Sequence, residues 1–192
     1  MTAAGAHRVR IIGGAWKRTP LVVPDVPGLR PTPDRVRETL FNWLGQDLSG
    51  LACLDAFAGT GALGLEAASR GAAPVWLVEP EQRAQAAIAA AVARLHADQV
   101  RLVRGDALHA IERAREEGRR FDVVFLDPPF GQGWLARVVP ALPPVLAPGA
   151  RLYVEAEAPL GADDLARWLG PGAEVLRSAR AGQVFYHLLQ TP

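Results

Sequence analysis

Leu51-Ala52-Cys53-Leu54-Asp55-Ala56-Phe57-Ala58-Gly59-Thr60-Gly61-Ala62-Leu63-Gly64 reads as a buried strand, a glycine turn and the start of a helix. Residues 51–58 are apolar except for Asp55, and the run stops at Gly59. Gly59 to Gly64 fits G-x-G-x-x-G between strand and helix, the context that gives this motif physical meaning. Glycines in such a turn let the backbone approach a ligand at the helix N-terminus.

Moving outward, further apolar runs recur at 74–78, 100–103, 121–126 and 151–155. They are near-continuous rather than alternating, as expected of parallel strands covered on both faces. Helical stretches lie between them at 62–70, 81–96, 107–117, 133–146 and 162–169; the fourth is broken by Pro140, Pro143 and Pro144. Residues 173–180 and 183–190 are strand-like and joined by a link too short for a helical crossover, so they form an antiparallel hairpin. The expected fold is α/β and Rossmann-like: a seven-stranded, mostly parallel sheet closed by a C-terminal antiparallel hairpin. Ahead of it, 8–12 and 16–23 flank Gly13-Gly14 as a small hairpin, and 33–48 reads as an amphipathic helix with Val36, Leu40, Trp43 and Leu44 on one face.

Three carboxylates stand at successive strand ends. Glu79 lies 20 residues after Gly59, at the end of the next strand, where it can accept from both hydroxyls of a ribose. That placement suits a nicotinamide dinucleotide or S-adenosylmethionine equally. Asp55 and Asp106 favour the second. A negative charge beside the loop is poor for a pyrophosphate and suits a ligand carrying an ammonium and a sulfonium, and Asp106 can accept from an adenine amine.

Asp127-Pro128-Pro129-Phe130 follows the fourth apolar run. Two consecutive prolines hold the chain extended and remove two backbone donors, leaving a rigid row of acceptors. Such a row suits a target with N–H bonds to give. An exocyclic base amine is a weak nucleophile because its lone pair is conjugated into the ring. Acceptors on both N–H bonds, the Asp127 carboxylate and the Pro128 carbonyl, localise that lone pair for attack on the sulfonium methyl. Phe130 offers a face on which an extruded base can stack.

A chain of 192 residues makes one domain with a small appendage the default, divided here as a basic extension over 1–30 and a methyltransferase domain over 31–192. Residues 1–46 carry seven basic side chains against three acidic ones, although the whole chain is only +1. A basic segment on a mildly acidic body is the footprint of an edge that meets a polyanion. No apolar run is long enough to cross a membrane, and the one cysteine, Cys53, reads as a small core residue. The four histidines and Trp16, Trp76, Trp134 and Trp168 have no metal or cofactor spacing and read as surface or packing residues. A cytoplasmic, membrane-free, metal-free monomer is expected.

The assembled motifs resemble the bacterial 16S rRNA guanine-N2 methyltransferases, the RsmD family. The resemblance runs in order through Arg10-Ile11-Ile12-Gly13-Gly14, Gly28-Leu29-Arg30-Pro31-Thr32, residues 34–44 from Asp34-Arg35-Val36-Arg37-Glu38, residues 54–64, Ser69-Arg70-Gly71-Ala72, and Asp127 to Phe130. The block from Arg30-Pro31-Thr32 to Trp43-Leu44 is the most family-specific. The resemblance implies methylation of one guanine N2 in 16S rRNA, presented in the 30S subunit or its assembly intermediate. It implies that the N-terminal hairpin grips RNA and that block 30–37 borders the pocket. The expected cofactor-binding set is Thr32, Asp55, Phe57, Gly59, Thr60, Gly61, Gly64, Glu79, Asp106 and Ala107. The expected RNA-contacting set is Arg8, Arg10, Lys17, Arg18, Arg30, Arg35 and Arg37. Phe130 stands where such enzymes often have Tyr, and Pro20 interrupts the segment after Gly14. The rival readings are a DNA adenine-N6 methyltransferase, for which only about 45 residues outside the core leave little room for sequence readout, an NAD-dependent oxidoreductase, and an RNA-binding assembly factor without activity.

Overall fold

The computed structural model describes residues 9–29 and 31–192, so Arg8 and Arg30 of the expected RNA-contacting set lie outside the described residues. Five strands run parallel: β3 (Cys53–Asp55), β4 (Val75–Glu79), β5 (Val100–Arg104), β6 (Phe121–Leu126) and β7 (Leu146–Ala156). The strands β8 (Glu174–Ala181) and β9 (Val184–Gln190) add an antiparallel hairpin. The order across the seven-stranded sheet is β5-β4-β3-β6-β7-β9-β8, which is the expected architecture. The chain leaves β3 toward one edge and returns to β6 on its other side. The carboxyl ends of β3 and β6 therefore flank the crevice where open α/β sheets bind ligands.

Both sheet faces are covered, which explains the continuous apolar runs. Successive residues of a strand serve opposite layers. Cys53, Val123, Phe125 and Tyr153 pack with helices α1 (Asp34–Leu44), α2 (Ala62–Ser69) and α3 (Gln82–Leu95). Leu54, Val124, Leu126 and Leu152 pack with α4 (Ala107–Glu116), the short α5 (Trp134–Val138) and α6 (Ala162–Leu169). The prolines break the fourth helical stretch as expected: α5 gives way to two 3-10 turns, Val139–Ala141 and Pro143–Val145. Helix α1 stops four residues short of its expected end, because Gly45 takes a φ of 103° that a helix cannot continue through.

The N-terminal hairpin is smaller than its sequence suggests. Strand β1 (Val9–Arg10) pairs antiparallel with β2 (Pro20–Leu21), and Gly13-Gly14 lie in the longer connection between them, where the Gly14 carbonyl accepts from Lys17 N–H. The two glycines also lie against the end of α2. A Cβ at Gly13 would overlap the Arg70 guanidinium, and one at Gly14 would overlap the Ser69 carbonyl. The contact is sealed by Ser69 Oγ donating to the Gly13 carbonyl at 2.6 Å and Ala15 N–H donating to the Ser69 carbonyl at 2.7 Å. No helix among the described residues is long and apolar enough to cross a membrane.

Candidate active site

Each parallel strand delivers one carboxylate to the same end of the sheet. Asp55 ends β3 and Glu79 ends β4; Asp106 lies two residues past β5 and Asp127 directly follows β6; Glu155 is the penultimate residue of β7. All five line one cavity of about 660 Å³, within the range of small-molecule sites. Thr32, Phe57, Gly59, Thr60, Ala107 and the tetrapeptide Asp127 to Phe130 line it as well. The segment from Val26 to Leu29 supplies a further wall.

The glycine loop is held from beneath by two of these acids. Gly64 N–H donates to Asp55 Oδ2 at 2.9 Å, and Gly59 N–H donates to Glu79 Oε2 at 2.8 Å. Gly61 N–H is taken by the Ala58 carbonyl. Three loop amides are thus already committed, two of them to carboxylates. A pyrophosphate would meet negative charge here instead of open N–H groups, and this argues against a dinucleotide. Gly61 and Gly64 do not line the cavity. Gly61 takes φ +78° at the start of α2, and a Cβ at Gly64 would overlap Leu77 on β4, so both shape the loop by packing.

Burial pushes the Asp55 carboxyl up to about 7, and donors from Gly64 and Phe57 only partly offset this. Glu79 is raised for the same reason and is held by Gly59 and Glu81 N–H groups. Carboxylates costly to ionise in an empty pocket are stabilised by a cationic ligand. Asp106 is exposed; its Oδ1 caps α4 by accepting from His109 N–H at 2.9 Å, so it serves the helix as well as the cavity wall.

On the β6 side, Asp127 Oδ2 accepts from Thr32 Oγ1 at 3.1 Å. Burial raises the Asp127 carboxyl well above the ordinary range, and the neighbouring Glu155 raises it further. Glu155 is raised by burial too, and it accepts from the buried Tyr153 hydroxyl at 2.8 Å. Among the described residues the Pro128 carbonyl accepts no hydrogen bond. Phe130 is 43 % exposed at the cavity rim, unusual for a phenyl ring in a chain whose other apolar side chains are mostly covered.

The basic residues divide. Arg10, Lys17, Arg18 and Arg35 are exposed. Arg37, expected on RNA, is fully buried. Its guanidinium donates to the carbonyls of Thr32 and Arg10 and to Asp34 Oδ1, and it pairs with buried Glu66 at 3.6 Å. It ties the N-terminal strand and the Thr32 loop to α2 and leaves nothing for a phosphate. Trp134 and Glu155 are among the lining residues outside the expected set. Trp134 reads from the sequence as a surface or packing residue, yet it lines the cavity and packs edge-on against Phe57 at 5.7 Å. Glu155 follows the same rule as the other acids, a carboxylate at a parallel strand's end, and could have been found by it.

Among the described residues no cluster of His, Cys, Asp and Glu could hold a metal ion. The family model "Conserved hypothetical protein 95" matches residues 9–190. Ribosomal RNA small subunit methyltransferase D of Escherichia coli K12 is 43 % identical over 97 % of this chain and 92 % of its own length. The solved Escherichia coli protein yhhF superposes with a TM-score of 0.81 at 38 % identity, covering 96 % of this chain and 98 % of that one. At 18 % identity, the crystal structure of SMU.776 complexed with SAH shares the fold with a TM-score of 0.66, over 82 % of this chain and 48 % of that one. The sheet is that of S-adenosylmethionine-dependent methyltransferases, and a committed glycine loop, a carboxylate at each parallel strand end and an Asp-Pro-Pro-Phe rim agree with the sequence likeness. The chain belongs to the ribosomal RNA small subunit methyltransferase D family.

Proposed function

We propose that this chain methylates the exocyclic N2 amine of one guanine in 16S rRNA, within the 30S subunit or its assembly intermediate. The carrying observation is that Asp127 and Phe130 border the cavity that the glycine loop closes on its other side. The name of the Escherichia coli relative supports the choice of small-subunit rRNA, and the DNA adenine alternative is not favoured by it. S-adenosylmethionine, when bound, supplies an electrophilic methyl group on a sulfonium. Asp55, Phe57, Gly59, Thr60, Glu79, Asp106 and Ala107 are the residues that would hold it, with Thr32 bridging to the base side. Asp127 and the Pro128 carbonyl accept from the two N–H bonds of the amine, which localises the nitrogen lone pair. The Asp127 carboxylate then takes the proton the nitrogen sheds. Phe130 stacks on the base, an interaction of about 1–3 kcal/mol per base. The extension over residues 1–30, with Arg35, grips RNA phosphates.

The test is methylation of 30S subunits from a strain lacking the enzyme, with the product nucleoside identified by mass spectrometry, beside adenine-containing duplex DNA. N2-methylguanosine in 16S rRNA is expected. Methyl transfer to the DNA alone would overturn the proposal.

A further inference from the structure

Glu155 is a buried carboxylate in the cavity for which the proposed chemistry has no use. Its neighbourhood follows from topology. The parallel register pairs Leu126 with Val154, so the next step along the two strands sets Asp127 beside Glu155. Both carboxyls line the cavity, and Asp127 Oδ2 also accepts from the Thr32 hydroxyl at 3.1 Å. Tyr153 lies two residues earlier on the same strand face, is fully buried, and holds Glu155 Oε1 at 2.8 Å. One oxygen of Glu155 is therefore anchored from behind while the residue still lines the cavity beside Asp127.

Two adjacent carboxylates match an edge that presents two adjacent donors. Guanine has such an edge, N1–H next to N2–H₂. Adenine presents its amine next to N1, a bare acceptor, which a carboxylate would repel. Resting on the guanine reading above, we propose that Glu155 is the specificity-determining residue that accepts the N1–H of the target guanine while Asp127 accepts from its N2 amine, with Tyr153 as the positioning residue that fixes Glu155.

The test uses 2-aminopurine, which keeps the exocyclic N2 amine but has an acceptor at N1. RNA carrying guanine or 2-aminopurine at the target position is assembled into 30S particles, and kcat/KM is measured for both with the full-length enzyme. A site built around a hydrogen bond to a substrate donor rejects an analogue lacking it by about 10⁴ or more; at least ~10² in favour of guanine is expected for the wild type. In Glu155→Ala the ratio should fall to within about threefold of one, following the loss of that contact. In Glu155→Gln the Tyr153 hydroxyl takes the amide oxygen and the NH₂ faces the base, so the preference should vanish or invert. Glu155→Gln replaces a carboxyl that burial already disfavours ionising, so it is expected to fold. The ratio is internal to each variant and does not depend on the amount of folded enzyme. An unchanged ratio in both variants, or a wild type that accepts 2-aminopurine as readily as guanine, overturns the assignment. A wild type that modifies no guanine at all sinks the underlying function with it, and the two failures are told apart by the guanine substrate alone.

Discussion

Asp55 Oδ2 accepts the Gly64 N–H at 2.9 Å from a side chain that is only 1 % exposed, so the carboxylate ending β3 props the glycine turn from below. This contact joins the end of β3 to the first turn of α2, and it holds a carboxylate that burial makes costly to ionise beside the cavity.

That charge predicts a pH signature. Asp55 titrates at about 7 in the folded chain and near 3.9 when unfolded. Between these values the folded state binds the extra proton, so stability falls as pH rises through the window, by up to about 1.4 kcal/mol per unit. Below the unfolded value the group contributes no pH dependence, and above 7 the loss is complete. Asp55→Asn mimics the protonated form. Its melting temperature should decline less than that of the wild type between pH 5 and 8, with parallel declines as the contrary result. Calorimetry should also show Asp55→Asn losing more affinity for S-adenosylmethionine than for the uncharged-sulfur product, since only the former would bring a sulfonium to the carboxylate.

Gly64 sets a second limit. Its Cβ would overlap the Leu77 side chain on β4 and crowd Asp55. Gly64→Ala should destabilise by about 1–3 kcal/mol through overpacking, read in denaturant melts, and should weaken cofactor binding because Asp55 must shift. Gly59→Ala tests φ +54° alone, since its nearest neighbour is Leu29 at 3.8 Å. It should cost less in stability than Gly64→Ala.

What was legible in the sequence was what is local. The glycine turn, the Asp-Pro-Pro-Phe rim and the closing hairpin are each specified within a few consecutive residues, and they lie where expected. What was not legible depends on register or on layer assignment. Glu155 carries the strand-end carboxylate signal that marks the other acids, but nothing local announces its partner: only the pairing of β6 with β7 brings it beside Asp127. Gly13-Gly14 read as a turn, and besides lying in the β1–β2 connection they permit a close approach to Ser69 and Arg70 that no local pattern announces. Arg37 looked like an RNA ligand by its charge. Its position on α1, with Phe41 four and Leu44 seven residues on, places it on the buried face, and that periodicity was the available signal.

The two roles of the arginines separate by experiment. Arg37→Ala leaves the Thr32 and Arg10 carbonyls without their donor, while Glu66 keeps its pair with Arg70 at 2.9 Å, and it should cost about 1–3 kcal/mol of stability. Reversing charge at exposed Arg10, Lys17, Arg18 and Arg35 should leave the melting temperature nearly unchanged. It should weaken 30S engagement most at low salt and flatten the salt dependence, as loss of phosphate contacts does. Equal salt slopes for the fourfold variant and the wild type would remove the gripping role.

The Thr32–Asp127 contact offers the sharpest test of the amine-acceptor role. The Thr32 hydroxyl donates to Asp127 and holds its carboxyl lower than burial and Glu155 would otherwise leave it. Thr32→Val removes that donor, so the Asp127 titration moves up. A carboxylate that must be ionised to accept an N–H is then lost over a wider acid range, and the rising limb of the kcat/KM profile should shift to higher pH while the plateau is largely recovered. Asp127→Ala removes the acceptor itself and should lower kcat by about 10²–10³ or more at every pH, with S-adenosylmethionine affinity retained. If Thr32→Val lowered the rate by the same factor at pH 6 and pH 9, Asp127 would not be titrating in the reaction, and its carboxylate would not be the group that receives the amine.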